Sequence, residues 1–406
     1  MTGILIIGAG GVGSATAHKC AQHNDELGDI CLASRTLEKC DAVIEAINGK
    51  GNKKNQHARV FSAQVDAMDT KQIVDLITRT QSDLILNVAS PYCNKTIMEA
   101  CLETRTHYLD TAVYEQEGNI NEPPPWYANY EWKYKDDFIA HGVTGVLGIG
   151  FDPGAVNAFC AYVHKHLIDT IDTIDIMDVN AGRHGRFFAT NFDPETNLRE
   201  IMEDVIYWEN GKFVKIPHHS KSITYDFPQL GGHRVYSMGH DELHSLPFNI
   251  PANRIEFWMG FNDRYINCFN VLEELGLLSN QPVEVEGKNI VPIKLLKAVL
   301  PDPSSLAQDY FGKVCIGCLI NGTQGGIKKE IFIYTLCDHT ECYKETGSQA
   351  ISYTTAVPLV TAAILVTRGD WNVRQLVNVE ELDPDPFMKL MPKLGLDWDV
   401  RVSQIS

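Results

Sequence analysis

A glycine-rich turn close to the N-terminus constrains the fold of this chain more than any other feature of its sequence. Three glycines, Gly8, Gly10 and Gly13, follow the apolar run Gly3–Ile7 and open the helical pattern of Val12–His23. The first permits a tight turn, the second lets a ligand approach the backbone, and the third lets the helix pack against the strand. Unpaired N–H groups at the start of the helix attract phosphate. The pattern predicts a dinucleotide site whose cradle consists of Gly8, Gly10, Gly11, Val12 and Gly13.

Strand-like and helical patterns alternate along the first 150 residues. The predicted strands are short, continuous apolar runs, as expected where helices cover both faces of a parallel sheet. They are Gly3–Ile7, Ile30–Ser34, Val60–Val65, Asp83–Val88, His107–Asp110 and Val143–Leu147. Such alternation is typical of βαβ units. It predicts an α/β fold with an N-terminal Rossmann domain built on a doubly wound parallel sheet.

The character of the sequence changes after Gly150, and a chain of 406 residues is too long for one ordinary domain. Longer connections rich in glycine, histidine and asparagine separate strand-like runs such as Thr173–Asn180 and Lys328–Cys337. We therefore expect the Rossmann domain at 1–150 and a second, mixed α/β domain at 151–346. The predicted helix Ser348–Thr367 lies in a closing segment, 347–406, which we expect to pack back on the first domain.

The end of the second predicted strand distinguishes NADP from NAD. A carboxylate at this point normally binds the ribose hydroxyl of NAD and repels the additional phosphate of NADP. This chain instead has Ser34, Arg35 and Thr36, which can donate hydrogen bonds to a phosphate and pair with its charge. The pattern predicts NADP(H). Two further strand ends belong to the expected cofactor site: Val65 and Asp66 beside the adenine, and Ala89 and Ser90 beside the nicotinamide ribose.

Polar side chains follow the next two strands, where the reacting end of the cofactor should lie. Asp110, Thr111 and Tyr114 follow the fifth strand, and the run Phe151-Asp152-Pro153 precedes a predicted helix. Because ligands bind at the carboxyl ends of strands in such sheets, we expect these residues to face one cleft. Asp152 has two interpretations: it caps the helix, or it faces the nicotinamide as a carboxylate that binds an amine or handles a proton. Asp110, Tyr114 and Asp152 are the predicted catalytic residues.

Composition excludes several classes of partner. The formal net charge of −17 argues against nucleic acid and anionic lipid surfaces. The longest apolar stretch, Ala356–Val366, is about half the length that spans a bilayer. The N-terminus shows no basic region or cleavage site of a secretory signal, so the eleven cysteines are expected to be reduced thiols in a cytoplasm.

One Cys-x-x-Cys pair, Cys315 and Cys318, is the only cysteine pattern that resembles a metal motif. It lies in the β-like run Val314–Ile320, where a spacing of three residues places the two thiols on opposite faces. No second pair or histidine pair completes a zinc site in the sequence. We therefore expect no metal.

Motifs along the whole chain resemble one known family. They are Gly8–Gly13, Ser34–Thr36, Leu109–Glu115, Gly148–Phe159, Ala189–Glu195, Gly239–Glu242, Glu345–Gln349, Trp371–Val373 and Asp383–Phe387. In this order they resemble the saccharopine dehydrogenase family, also called saccharopine reductases. The early motifs are shared by the superfamily, and the later ones resemble its polyamine branch.

The resemblance implies an NADPH-dependent reductive condensation. The aldehyde of L-aspartate β-semialdehyde would condense with one amine of a diamine, 1,3-diaminopropane or putrescine, and the imine would be reduced to a secondary amine. It also implies a homodimer formed through the second domain. By the same resemblance, Tyr114 and Asp152 would lie toward the substrate, and the cofactor would contact Ser34, Arg35, Thr36, Asp66, Thr111, Phe151, Asp152 and Pro153.

Substrates of this kind need both an acidic and a cationic environment in the second domain. The far ammonium of a diamine needs acidic groups, for which Asp241 and Glu242 are expected. Arg183 is expected to bind the substrate carboxylate, with Arg186 and Arg234 as alternatives, and His240 to relay protons, with His184 as an alternative. Two other functions stay open. A saccharopine-forming reductase would need cationic pockets for three carboxylates, and a sensing protein would bind NADPH without consuming it.

Overall fold

The structure is a computed structural model that describes residues 3–116 and 122–404. Its N-terminal part alternates strands and helices as the sequence predicts. These elements are β1 (Gly3–Ile7), α1 (Gly11–Gln22), α2 (Asn24–Leu27), β2 (Asp29–Ser34), α3 (Leu37–Lys50), β3 (Val60–Gln64), α4 (Thr70–Thr80), β4 (Leu84–Asn87), α5 (Asn94–Thr104), β5 (His107–Asp110), α6 (Trp126–Asn129), α7 (Lys135–His141) and β6 (Gly145–Leu147).

The middle of the chain is richer in strands. Its elements are α8 (Ala155–His166), β7 (Thr170–Asn180), α9 (Pro194–Met202), β8 (Val205–Glu209), β9 (Lys212–Ile216), β10 (Ser222–Phe227), β11 (Gly231–Met238), α10 (Leu246–Asn249), β12 (Arg254–Gly260), α11 (Asp263–Glu274), β13 (Val283–Val285), β14 (Lys288–Ile290), α12 (Pro292–Val299), β15 (Lys313–Gln324), β16 (Ile327–Asp338) and α13 (His339–Thr346). The closing segment contains α14 (Ala350–Arg368), β17 (Leu376–Asn378), α15 (Pro384–Leu390) and β18 (Trp398–Gln404).

The first sheet has seven parallel strands in the order β17-β6-β5-β4-β1-β2-β3. The chain leaves β1 in one direction to β2 and β3 and returns on its other side to β4, β5 and β6. This is the doubly wound Rossmann order, which confirms the predicted fold class. Alternate residues of β1 enter separate cores: Ile4 and Ile6 on one face, Leu5 and Ile7 on the other. Burial on both faces explains why these strands are continuous apolar runs.

The second sheet has nine strands. Seven follow the order β10-β11-β12-β7-β15-β16-β18, and β8 joins at β12 with β9 on its outer side. Only β12 and β7 pair in parallel within it, whereas the remaining pairs are antiparallel. Helix α8 leads from the first sheet into the second and packs on β7 and β15. The sheet is therefore mixed, as the sequence predicts.

The closing segment contributes to both sheets. Helix α14 packs against α1, and β17 extends the first sheet beside β6, whereas β18 pairs with β16 in the second. In the part of the chain that the structure describes, α14 alone is long and apolar enough to cross a membrane by length and composition. Of its apolar window, 83% is buried inside the protein, as in the core helix of a globular fold.

Candidate active site

The glycine turn joins β1 to α1 with the geometry that the motif requires. Gly8 has a φ of +119°, and a Cβ on Gly13 would lie 1.9 Å from the Gly8 carbonyl oxygen. A Cβ on Gly10, in contrast, would meet no atom within 4 Å, so the backbone is open at the point where a pyrophosphate approaches. Helix α1 has no side-chain cap at its N-terminus. Its first N–H groups and this open cradle fit a dinucleotide phosphate.

The predicted adenine end of the cradle lies at the carboxyl end of β2. Ser34 Oγ accepts a hydrogen bond from the Thr36 N–H at 3.2 Å and fixes the turn. Arg35 and Thr36 are exposed, and within residues 3–116 and 122–404 no carboxylate forms an ion pair with the Arg35 guanidinium. This charge is therefore available to the additional phosphate of NADP.

The segments that follow β3 and β4 contain further residues predicted to contact the cofactor. The Val65 side chain is buried, so only its backbone faces the cradle, while Asp66 Oδ1 accepts a hydrogen bond from the Met68 N–H. Beyond β4, the Ala89 N–H donates to Asn87 Oδ1 at 3.1 Å, and Ser90 is exposed. The Ala89–Ser90 segment thus follows the carboxyl end of β4 and passes close to Gly8, on the side predicted for the nicotinamide ribose.

Asp110 ends β5 and is fully enclosed. Its Oδ1 accepts the Gly148 N–H at 2.6 Å, and its Oδ2 accepts the Tyr108 hydroxyl at 2.8 Å. Burial raises the pKa of Asp110 to about 7, against the opposing effect of these hydrogen bonds. Since both oxygens face protein groups, the geometry favours a positioning role for this carboxyl, which ties β5 to the turn that leads to Asp152.

The loop after β5 is held by two carboxylates from elsewhere in the chain. The Val113 N–H donates to Asp241 Oδ2 at 3.0 Å, and the Tyr114 N–H donates to Glu131 Oε1 at 2.5 Å. Thr111 packs beside Gly150, where an added Cβ would lie 3.4 Å from the Thr111 Cβ. One oxygen of Asp241, predicted as a diamine ligand, is therefore engaged in joining the two halves of the chain.

Asp152 does not cap α8. The N-cap of that helix is Gly154, whose N–H donates to the Asn157 side chain at 2.9 Å. The structure therefore removes the capping interpretation of Asp152, and a carboxylate that faces the cleft stays the prediction. Burial and the nearby Asp178 carboxylate raise its pKa well above the ordinary value, and the positive charge of His240 opposes them.

Five acidic side chains surround His240 and form what we call the acidic cluster. Its members are Asp152, Asp178, Glu200, Asp241 and Glu242. His240 Nδ1 lies 2.7 Å from Glu242 Oε2, and the imidazole stacks on Phe257 with ring centroids 3.9 Å apart. Burial lowers the pKa of His240, but Glu242 and Asp152 raise it well above its usual range. The imidazole is therefore held as a cation by its carboxylates.

The strands explain why Asp178 and His240 meet. Ile176 and Asp178 lie two residues apart on β7 and so point to the same face. Ile176 pairs with Phe257 of β12, and His240 stacks on that phenyl ring. Asp178 therefore lies one pair further along the same face, at the end of the sheet near α8.

Two carboxylate oxygens of the acidic cluster have no hydrogen-bond partner among the described residues. They are Asp178 Oδ1 and Glu242 Oε1, and their side chains are 9% and 0% exposed. An unsatisfied buried acceptor is costly, about 1–3 kcal/mol and more when it is charged. Such oxygens are the groups that a bound ammonium would satisfy.

Some predicted substrate residues do not reach this cluster. The Arg183 side chain is exposed, and its backbone forms an isolated bridge with Phe311 at the surface. Sequence reasoning also missed three residues: Asp178, Glu200 and a buried arginine, Arg199. Of these three residues, only Asp178 could have been found from the sequence, because it is a charged residue near the end of an apolar strand.

The predicted absence of a metal motif can be compared with the geometry. Cys315 and Cys318 lie on β15 and enter cores on opposite faces of the sheet, as their spacing predicts. Across residues 3–116 and 122–404, no group of three or more His, Cys, Asp or Glu side chains is arranged to hold a metal ion.

The Rossmann sheet has an open glycine cradle, a strand end of the NADP type and a cleft of titratable groups beside them. Together these features define an NADP-dependent oxidoreductase. Comparison with known proteins agrees. The saccharopine dehydrogenase NADP binding domain matches residues 4–146, and the saccharopine dehydrogenase C-terminal domain matches residues 150–396. The chain belongs to the saccharopine dehydrogenase family, and its cofactor is NADP(H). The family predicted from the motifs is confirmed.

Three curated relatives are similar over 98% of this chain. Carboxynorspermidine synthase of Vibrio alginolyticus is 50% identical over 399 residues, covering 96% of that protein, and the same enzyme of Vibrio cholerae is 48% identical, also covering 96%. Carboxyaminopropylagmatine dehydrogenase of Synechocystis sp. is 44% identical and 97% covered. Among solved structures, apo saccharopine dehydrogenase (L-Glu forming) of Saccharomyces cerevisiae aligns with a TM-score of 0.72 over 99% of this chain and 100% of that one. At 12% identity, the likeness shows the shared fold.

Proposed function

We propose that this protein catalyses the NADPH-dependent reductive condensation of L-aspartate β-semialdehyde with a diamine, giving carboxynorspermidine or carboxyspermidine in polyamine biosynthesis. The observation that carries the proposal is the acidic cluster with its two unpartnered carboxylate oxygens, Asp178 Oδ1 and Glu242 Oε1. A polyamine needs such a site, whereas a tricarboxylic substrate would be repelled by it. The names of the relatives at 44–50% identity support the same class of product.

The residues of the cluster have roles that follow from their protonation. The attacking amine must be neutral, and the hydroxyl that leaves the carbon must gain a proton. Asp152, whose pKa is raised, accepts the proton of the amine, and the His240 imidazolium supplies one to the hydroxyl group, which then leaves as water. Tyr114 closes the substrate side, and Asp110 holds the turn before Asp152. Bound NADPH supplies the hydride that reduces the carbon–nitrogen double bond.

The cofactor contacts are part of the proposal. The pyrophosphate lies on the glycine cradle and the additional phosphate on Ser34, Arg35 and Thr36, which an open backbone and an unpaired guanidinium support. The adenine and nicotinamide sides are assigned to Val65, Asp66, Ala89, Ser90, Asp110, Thr111, Phe151, Asp152 and Pro153. On the substrate side, Glu242 and Asp178 bind the amine, with His240 and Asp241 at its edges.

An amine panel tests the function. Purified protein and NADPH would be mixed with aspartate β-semialdehyde and, in turn, 1,3-diaminopropane, putrescine, agmatine or L-glutamate, while the NADPH absorbance is followed. We expect oxidation with at least one of the three polyamine-type amines. Agmatine belongs in the panel because a relative at 44% identity is named for an agmatine derivative. Oxidation with glutamate alone would support a saccharopine-forming reductase, and NADPH binding without oxidation would support a sensor.

We further propose that the domains follow the two sheets, with boundaries near 150 and 346 and the closing segment shared between them. We also propose a cytoplasmic homodimer that binds neither nucleic acid nor membranes. All eleven cysteines are free thiols, which supports a reducing compartment, and the charge of −17 opposes nucleic acid. Exposed apolar side chains on the second domain, among them Val271, Leu275 and Val299, support a subunit contact there. Sedimentation of the purified protein tests the dimer.

A further inference from the structure

An arginine of α9 is buried where the two halves of the chain meet. Arg199 is 8% exposed. Its Nη1 donates to the Tyr92 hydroxyl at 2.8 Å, and its Nη2 forms an ion pair with Glu115. Tyr92 follows β4 and Glu115 follows Tyr114 after β5, so this guanidinium lies at the carboxyl ends of both strands. It therefore borders the cleft in which the predicted nicotinamide end of the cofactor lies.

One N–H group of this guanidinium, at Nε, has no acceptor among the described residues. Arg199 Nε is also buried. A guanidinium binds a carboxylate best through two N–H groups on one edge, and Nε forms such an edge together with Nη2. Glu115 already accepts from Nη2, so the unused donor points to a second anionic acceptor beside it.

Acidic groups adjoin the same arginine. Glu203 and Glu115 both interact electrostatically with Arg199, and Glu200 follows it directly in α9. A site with one cation and several carboxylates suits a zwitterion: the cation takes a carboxylate, and a neighbouring carboxylate takes an ammonium. An α-amino acid head group has this charge pattern, and a simple diamine does not.

We propose that Arg199 binds the α-carboxylate of the amino-acid semialdehyde, with Glu115 beside its α-ammonium. The inference rests on the proposed function, because it names the residue that recognises the aldehyde substrate of that reaction. It replaces Arg183, which the sequence analysis chose for this carboxylate and which the structure places at the surface.

The test compares two aldehydes in each variant. 3-Aminopropanal is aspartate β-semialdehyde without its α-carboxylate. The kcat/KM for aspartate β-semialdehyde divided by that for 3-aminopropanal therefore isolates recognition of the carboxylate. We expect Arg199→Met to reduce this ratio by about 10- to 100-fold, the effect of losing a charged hydrogen bond. Arg199→Lys, which keeps the charge but loses the planar fork, should give an intermediate ratio. Arg183→Met is the matched control and should keep the wild-type ratio.

A purely structural arginine would lower kcat/KM for both aldehydes equally, and an unchanged ratio in Arg199→Met would overturn the inference even if the variant were poorly stable. Wild-type protein that uses both aldehydes equally well would also overturn it and would leave the proposed function intact. If no combination of aldehyde and amine leads the wild-type protein to oxidise NADPH, both the inference and the proposed function are wrong.

Discussion

The two sides of the cleft are built in different ways. On the glycine side, formed by the turn Gly8–Gly13 and the strand end Ser34–Thr36, backbone shape and open space define the site. On the opposite side, the acidic cluster depends on side chains that come from the turn between β6 and α8, from β7, from α9 and from the segment after β11. The first site is continuous in sequence and the second is assembled from distant segments.

This difference predicts how each side fails. A cradle made of backbone fails when an atom is added to it, because there is no side chain that could move away. A cluster of buried carboxylates fails when a charge is removed, because its members set one another's pKa values. Substitutions on the two sides should therefore change different constants of the same reaction.

The largest expected effect is on the acidic side. Asp152→Asn keeps the size of the side chain but removes the group that exchanges a proton with the amine. We expect kcat to fall by about 100- to 10,000-fold, the usual contribution of general acid–base catalysis. The dissociation constant of NADPH, measured by fluorescence titration, should stay close to the wild-type value. A kcat within a few-fold of wild type would show that Asp152 is not the proton acceptor.

On the glycine side, Gly13→Ala should abolish the cradle. The new Cβ would lie 1.9 Å from the Gly8 carbonyl oxygen, and overpacking of this kind costs about 3 kcal/mol or more. NADPH affinity should fall by at least about 100-fold, and the melting temperature should fall with it.

Gly10→Ala is the matched control for that variant. Its Cβ enters space that no protein atom occupies within 4 Å, so the melting temperature of the apoprotein should stay unchanged. NADPH affinity should still fall, since the methyl group stands where the pyrophosphate approaches. Unchanged affinity in Gly10→Ala would place the pyrophosphate elsewhere.

Arg35→Ala sharpens the comparison at the adenine end. Losing a charged hydrogen bond to the additional phosphate should raise the KM for NADPH by about 10- to 100-fold and leave that for NADH nearly unchanged. Arg79→Ala, an exposed arginine at the end of α4, removes the same charge elsewhere on the surface and should change neither constant. Equal effects of Arg35→Ala on both cofactors would argue against a phosphate contact.

The same contrast explains what could be predicted from the sequence. Six strands of the Rossmann sheet were predicted to within one or two residues, because the central ones, such as β1 and β4, are continuous apolar runs buried on both faces. Its seventh strand, β17, was not predicted, since three residues that arrive from the closing segment carry no periodic pattern. The residues proposed for the cofactor could be chosen from the sequence because they lie at, or shortly after, the ends of predicted strands.

The acidic cluster could be predicted only in part. His240, Asp241 and Glu242 were chosen through a motif, but Asp178 and Glu200 approach them only through the pairing of β7 with β12 and the placement of α9. No local pattern encodes such long-range contacts. Arg183 was chosen only because it carries a positive charge in the second domain. The proposal for Arg199 rests on its burial, which has no signature in a single sequence.

The smallest expected effect concerns stability rather than activity. Burial and the neighbouring Asp110 raise the pKa of Glu131 to about 8, although its bond to the Tyr114 N–H lowers it. A carboxyl whose folded pKa is raised stabilises the fold fully below its unfolded pKa, and that contribution is lost as the pH rises through the folded pKa. The wild-type melting temperature should therefore fall between about pH 4.5 and pH 8, and Glu131→Gln should make this fall smaller by about 2–4 °C. Glu38→Gln, at an exposed position on α3, should keep the full fall. An equal fall in Glu131→Gln would mean that Glu131 does not lose a proton in the folded protein over this range.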